Sequence, residues 1–210
     1  MKAMAHIFFV LLILFLPITA TLAAENALCR APDFYSYEFT KTEVSGKLDS
    51  EVGDKELAKF FSDFMCHKTD VFLYKQYDKE AETEFFTDAD GVFMAKFRFW
   101  LDLFTGVLAG TALISFWGCL FFIRRDEKDR LRFAVKLSAA FYLVLWIGIF
   151  VVTIYFHSGA SFPEEAFFRL ALTSGIVREW LFAGFLCSGL ILGIIASLIW
   201  KFSKPARMFW

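Results

Sequence analysis

The sequence predicts an α-helical membrane protein with a cleaved N-terminal signal, a small extracytoplasmic α+β domain and a three-transmembrane-helix bundle. Three observations predict it. The chain of 210 residues is 58% hydrophobic with a mean hydropathy of +0.52, beyond the apolar share of soluble domains. That excess is gathered into runs of about 20 residues, the length that crosses a bilayer as a helix. The net charge of -1 hides an opposition between segments. Residues 24–96 carry 9 Lys/Arg against 16 Asp/Glu, whereas residues 124–136 carry 6 against 3.

The chain opens on a weakly positive hexapeptide, then ten apolar residues from Ile7 to Leu16, then Pro17. Thr21-Leu22-Ala23 offers small residues at the -3 and -1 positions of a cleavage site. This is the layout of a secretory signal peptide over residues 1–23. An uncleaved first span is the alternative, since the stretch is about long enough to cross. Both readings put residues 24–100 outside the cytoplasm.

Residues 24–100 form the outside domain. Glu56 to His67 places Leu57, Phe60, Phe61, Phe64 and Met65 on one helical face, with Cys66 at its end. Residues 35–44 and 71–77 are rich in aromatic and β-branched types and read as strands. Residues 84–98 read as a hairpin turned by Thr87-Asp88-Ala89-Asp90-Gly91. Cys29 and Cys66 are the domain's two thiols in an oxidising compartment, so they are expected to pair. That bridge stabilises by roughly 4 kcal/mol in the chain-entropy model.

Transmembrane helices are expected at 101–123, 137–156 and 181–200. The loop 124–136 and the tail 201–210 hold 9 Lys/Arg together, and the loop 157–180 holds 2. Lys/Arg excess marks the cytoplasmic side, so the outside domain and the 157–180 loop are extracytoplasmic. Within that loop Ser161, Pro163 and Glu164 predict a short capped helix. Trp100, Trp180 and Trp200 stand near span ends, where indoles favour the headgroup layer.

Few side chains carry chemistry. Asp102 is a possible functional carboxylate at the outer end of the first span, although its neighbours favour a solvated boundary residue. His67 with His157 is a remote metal pair, and no metal or cofactor is expected. Asp88 and Asp90 lack the further oxygen ligands of a calcium loop. Nucleic acid is excluded as a partner by the acidic outside domain. Gly106 and Gly110 form one GxxxG and Gly189 and Gly193 another, surfaces on which membrane helices pack closely, within the bundle or against another protein.

With no nucleophile motif and almost no polar group in the spans, the expected function is non-catalytic. The chain reads as a subunit, scaffold or accessory protein of a larger membrane complex, held in the lipid bilayer and bound to a membrane-protein partner or to itself. A small channel or transporter component is the alternative, and a membrane-embedded enzyme the second alternative. The short loops and the signal-like start point to a bacterial inner membrane. With the opening stretch retained, the four-span layout resembles claudin-type proteins in topology alone. The Trp and paired-Cys signature of their first loop is missing here, and no residue role is taken from them.

Overall fold

The structure, a computed structural model, describes residues 2–47, 52–72, 75–78, 81–84, 86, 88–159 and 176–203. Seven helices are described: α1 (Lys2–Arg30), α2 (Pro32–Thr42), α3 (Val44–Lys47), α4 (Asp54–Met65), α5 (Asp88–Arg124), α6 (Lys128–Gly159) and α7 (Ile176–Phe202). Strands β1 (Lys75–Asp78) and β2 (Ala81–Glu84) form an antiparallel hairpin with Lys75 opposite Glu84 and Asp78 opposite Ala81. The chain divides into two compact units. The first holds Met1–Glu25, Phe104–Ser158 and Ala183–Trp210, and the second Asn26–Leu103 and Gly159–Phe182.

Among the described residues four helices, where three were expected, are long and apolar enough to cross a membrane. The addition is α1, which runs unbroken through Pro17 and past Ala23 to Arg30. Proline is tolerated in membrane helices because neighbouring helices satisfy the backbone it frees, and Pro17 is fully buried. In the first unit α1 meets α5 where Gly118 lacks a side chain. A Cβ there would stand 3.1 Å from Leu12 Cγ, so the glycine permits the close approach. Phe8 meets Phe121 at 4.9 Å and Phe9 meets Phe133 at 6.0 Å between ring centroids. On α6 and α7, Tyr142, Trp146 and Phe150 pack around Phe185. Residues such as Leu113, Phe116, Val144, Ile147, Leu190 and Ile194 stay exposed, the pattern of a lipid-facing surface.

The second unit is helical, which corrects the α+β expectation. Residues 35–42 lie in α2, Glu43 caps its end and Val44 opens α3. Pro32 sits in the first turn of α2 and Asp33 complements its dipole. Tyr35 and Phe39, one helical turn apart, both face α4. Phe39 meets Phe61 edge-on at 5.3 Å. Tertiary packing here overrides the strand preference of aromatic and β-branched residues. Residues 88–98 open α5, with Asp88 and Asp90 in its first turn, where carboxylates favour a helix start. Of the predicted strand at 71–77, residues 71 and 72 are not in a strand, 73 and 74 lie outside the described residues, and 75–77 belong to the hairpin, the one extended pair among the described residues.

The amphipathic stripe on α4 organises the unit. Leu57, Phe61, Phe64 and Met65 are buried with Phe72, Phe86, Met94 and Leu101, and Phe60, Phe93 and Phe97 pack against them. Burying each such ring stabilises by roughly 1.5–3 kcal/mol. The aromatic core stands in for the expected disulfide: Cys29 and Cys66 are both free thiols. The predicted helix with Ser161 and Glu164 lies outside the described residues.

Candidate functional site

The site forms where α4 ends. Helices often close with a residue in the left-handed conformation, usually glycine, whose amide bonds back into the last turn. In α4 that residue is His67, with φ 58°. Its N–H donates to the Phe64 carbonyl at 3.1 Å, and the Lys68 N–H donates to the Asp63 carbonyl at 2.9 Å. These two bonds are the Schellman pair. A side chain at this position costs about 1–2 kcal/mol, for want of glycine's freedom.

The turn brings the imidazole to α5. His67 Nε2 lies 2.9 Å from Asp102 Oδ2 and 3.1 Å from Oδ1. On the other side of the same carboxylate, Arg30 Nη2 donates to Oδ1 at 3.1 Å. Arg30, at the end of α1, also donates to Asn26 Oδ1 and to the Met65 carbonyl. The Arg30 carbonyl accepts from Ser62 Oγ at 2.7 Å and faces Cys66 Sγ at 3.8 Å. One carboxylate thus holds an arginine and a histidine together. His67 is half exposed, within reach of a bound molecule.

An imidazole with one ring nitrogen on a carboxylate has a defined tautomer. The Nε2–H donates to Asp102 and leaves the Nδ1 lone pair as the proton acceptor. A carboxylate in that place also stabilises the imidazolium once the ring has taken a proton. The group can accept and return one proton without moving.

A separate acidic contact joins α2 to the start of α7. Glu38 is 2% exposed. Burial above all, then its hydrogen bond to Glu179 and that carboxylate's charge, push its pKa up to about 7, while Lys41 opposes the shift. Lys41 and Glu179 form an ion pair. Burial drives the Tyr35 hydroxyl well above the usual phenol range, and it donates to the Cys29 carbonyl at 2.8 Å.

Of the residues singled out in the sequence, Asp102 is central, as the partner of Arg30 and His67 and not only a solvated boundary residue. His157 lies in the last turn of α6, and no group of three metal-ligating side chains occurs among the described residues. Added Cβ atoms at Gly106, Gly110 and Gly193 would meet nothing within 4 Å, and one at Gly189 would meet the Tyr142 hydroxyl at 3.2 Å. Arg30, Asn26 and Ser62 were not foreseen. The cue to Arg30 is that a helix read as a signal ending at residue 23 continues to position 30. That continuation also brings Glu25 against Gly184 on α7, beside Trp146.

No family model and no curated protein matches the chain. Solved structures do. One is the membrane-integral lipoprotein intramolecular transacylase Lit from Bacillus cereus, in a variant with one histidine replaced by alanine. It aligns at a TM-score of 0.71 and 14% identity, over 99% of this chain and 97% of that one. A variant with a histidine-to-arginine change aligns at 0.67 and 12%, over 95% and 93%. A third Lit structure aligns at 0.68 and 13%, over 97% of both chains. In fold, the chain is similar to Lit. The likeness spans α1 as well, as four spans require. It also overturns the expectation of a non-catalytic scaffold, because a protein of this fold over nearly its whole length is an enzyme.

Proposed function

We propose that the protein is a membrane-embedded acyltransferase that moves an acyl chain within a lipid-bearing substrate, with His67 as general base and Asp102 as its orienting partner. The observation that carries this reading is the His67–Asp102 contact of 2.9 Å, held by a strained turn in a fold like that of a transacylase. The fold analogy supports the reaction class, and the dyad supplies the chemistry.

Nδ1 of His67 takes the proton from the attacking group as that group adds to the acyl carbonyl carbon. The tetrahedral adduct collapses, the old bond to the leaving oxygen breaks, and the imidazolium returns the proton to that oxygen. One acyl bond forms, one breaks, and the histidine is regenerated without consuming water. Asp102 stabilises the transient imidazolium, and Arg30 balances the charge of Asp102.

Loop charge supports an orientation with residues 124–136 and the C-terminus cytoplasmic. His67 then works on the outer face, at the headgroup layer where a lipid-anchored substrate presents its acyl esters. In this reading α1 is a retained span, supported by the close contact of Leu12 with Gly118. A bacterial inner membrane fits both.

The test is turnover of a diacylated lipopeptide by the purified chain in lipid vesicles. His67→Gln is expected to lower kcat roughly 100- to 10,000-fold, the range of a lost general base, with the protein still folded. Equal turnover by the variant would exclude the mechanism.

A further inference from the structure

We infer that Arg98 is a positioning residue for His67, fixing the backbone of the turn that aims the imidazole; this rests on the acyl-transfer reading above. The two side chains that govern His67 lie one helical turn apart on the same face of α5. Asp102 takes the ring, and Arg98 takes the main chain on both sides of it. Arg98 Nη1 donates to the Phe64 carbonyl at 3.3 Å and to the Thr69 carbonyl at 2.9 Å, and Nη2 donates to the Asp70 carbonyl at 3.3 Å. The guanidinium also lies over the Phe64 ring, 4.1 Å from its centroid, an attractive cation–π geometry.

The Phe64 carbonyl is the one that accepts the His67 N–H, so Arg98 and the turn share an acceptor. The carbonyls of Thr69 and Asp70 then tie down the chain that leaves the turn. A left-handed residue without glycine's freedom persists only where its surroundings over-determine it. The planar guanidinium does so with donors in a fixed fork, which a lysine ammonium cannot reproduce. Because α5 carries both Arg98 and Asp102, one rigid element sets the ring and its backbone to a common reference. A displacement of about 1 Å in such a group can cost 100-fold in rate.

The test combines Arg98→Lys kinetics with NMR of the full chain in lipid nanodiscs, labelled at histidine. The chain has 3 histidines, and His67→Gln assigns the His67 ring signals. Arg98→Lys is expected to shift the His67 signals alone and to lower kcat about tenfold with KM unchanged. His67 signals at their native position would overturn the inference, as would displacement of all three rings, which would mean general disruption. The two proposals fail separately. Full activity in His67→Gln sinks the acyl-transfer reading. Inactive His67→Gln with unaltered kcat in Arg98→Lys sinks only the role of Arg98.

Discussion

His67 holds a position that helix ends usually give to glycine, and it keeps its left-handed backbone at φ 58°. Such strain concentrates at functional sites, where stability is exchanged for a fixed geometry. Replacing His67 with Asn, which adopts this conformation more readily, is therefore expected to leave the protein at least as heat-stable while abolishing turnover. Thermal unfolding and the lipopeptide assay on one preparation check both halves. Glu38 gives the pH prediction. Its carboxyl titrates near 7 in the fold, above the ordinary carboxylate range of the unfolded chain. Between those values the unfolded chain releases a proton that the folded chain keeps, so stability falls as pH rises to about 7 and then levels. Glu38→Gln is expected to flatten that slope, read as the difference in unfolding temperature between pH 5 and pH 8.

Between helices, side chains at single crossings decide the fit. In the first unit the α1–α5 crossing depends on Gly118, with Leu12 Cγ 3.1 Å from an added Cβ. Gly118→Val is expected to cost about 1–3 kcal/mol by overpacking, seen as a lower unfolding temperature in detergent. In the second unit Phe61 touches the rings of Phe39, Phe72 and Phe86. Phe61→Ala should cost about 3–5 kcal/mol, measured by denaturant titration. The helix of α4 was legible because its apolar residues recur with a helical period and stay buried. Residues 35–44 were not, since Tyr35 and Phe39 suit either a strand or a helix until α4 stands beside them. The Asp88–Gly91 segment carried two meanings at once, turn chemistry and helix start, and only the length of α5 separates them.

At the scale of the whole chain, Pro17 and the small residues before Ala24 have the pattern of a cleavage site, and α1 continues through both to Arg30. The last turn of that helix supplies the arginine of the site, which a reading that stops at residue 23 leaves out. Asp102 was visible as an isolated acid at a span end. Its partners were not, because Arg30 and His67 reach it across 72 and 35 residues of sequence, and no local pattern encodes such a meeting. In the proposed mechanism His67 is the general base while an acyl chain moves between two positions of one substrate molecule. Intramolecular transfer leaves the substrate's mass unchanged, so the decisive measurement is tandem mass spectrometry of a diacylated lipopeptide after incubation with the reconstituted protein. The native chain is expected to form a product of identical mass whose acyl chain has changed position, and His67→Gln is expected to form none. An unmoved acyl chain with the native protein, or equal movement with the variant, would contradict that mechanism.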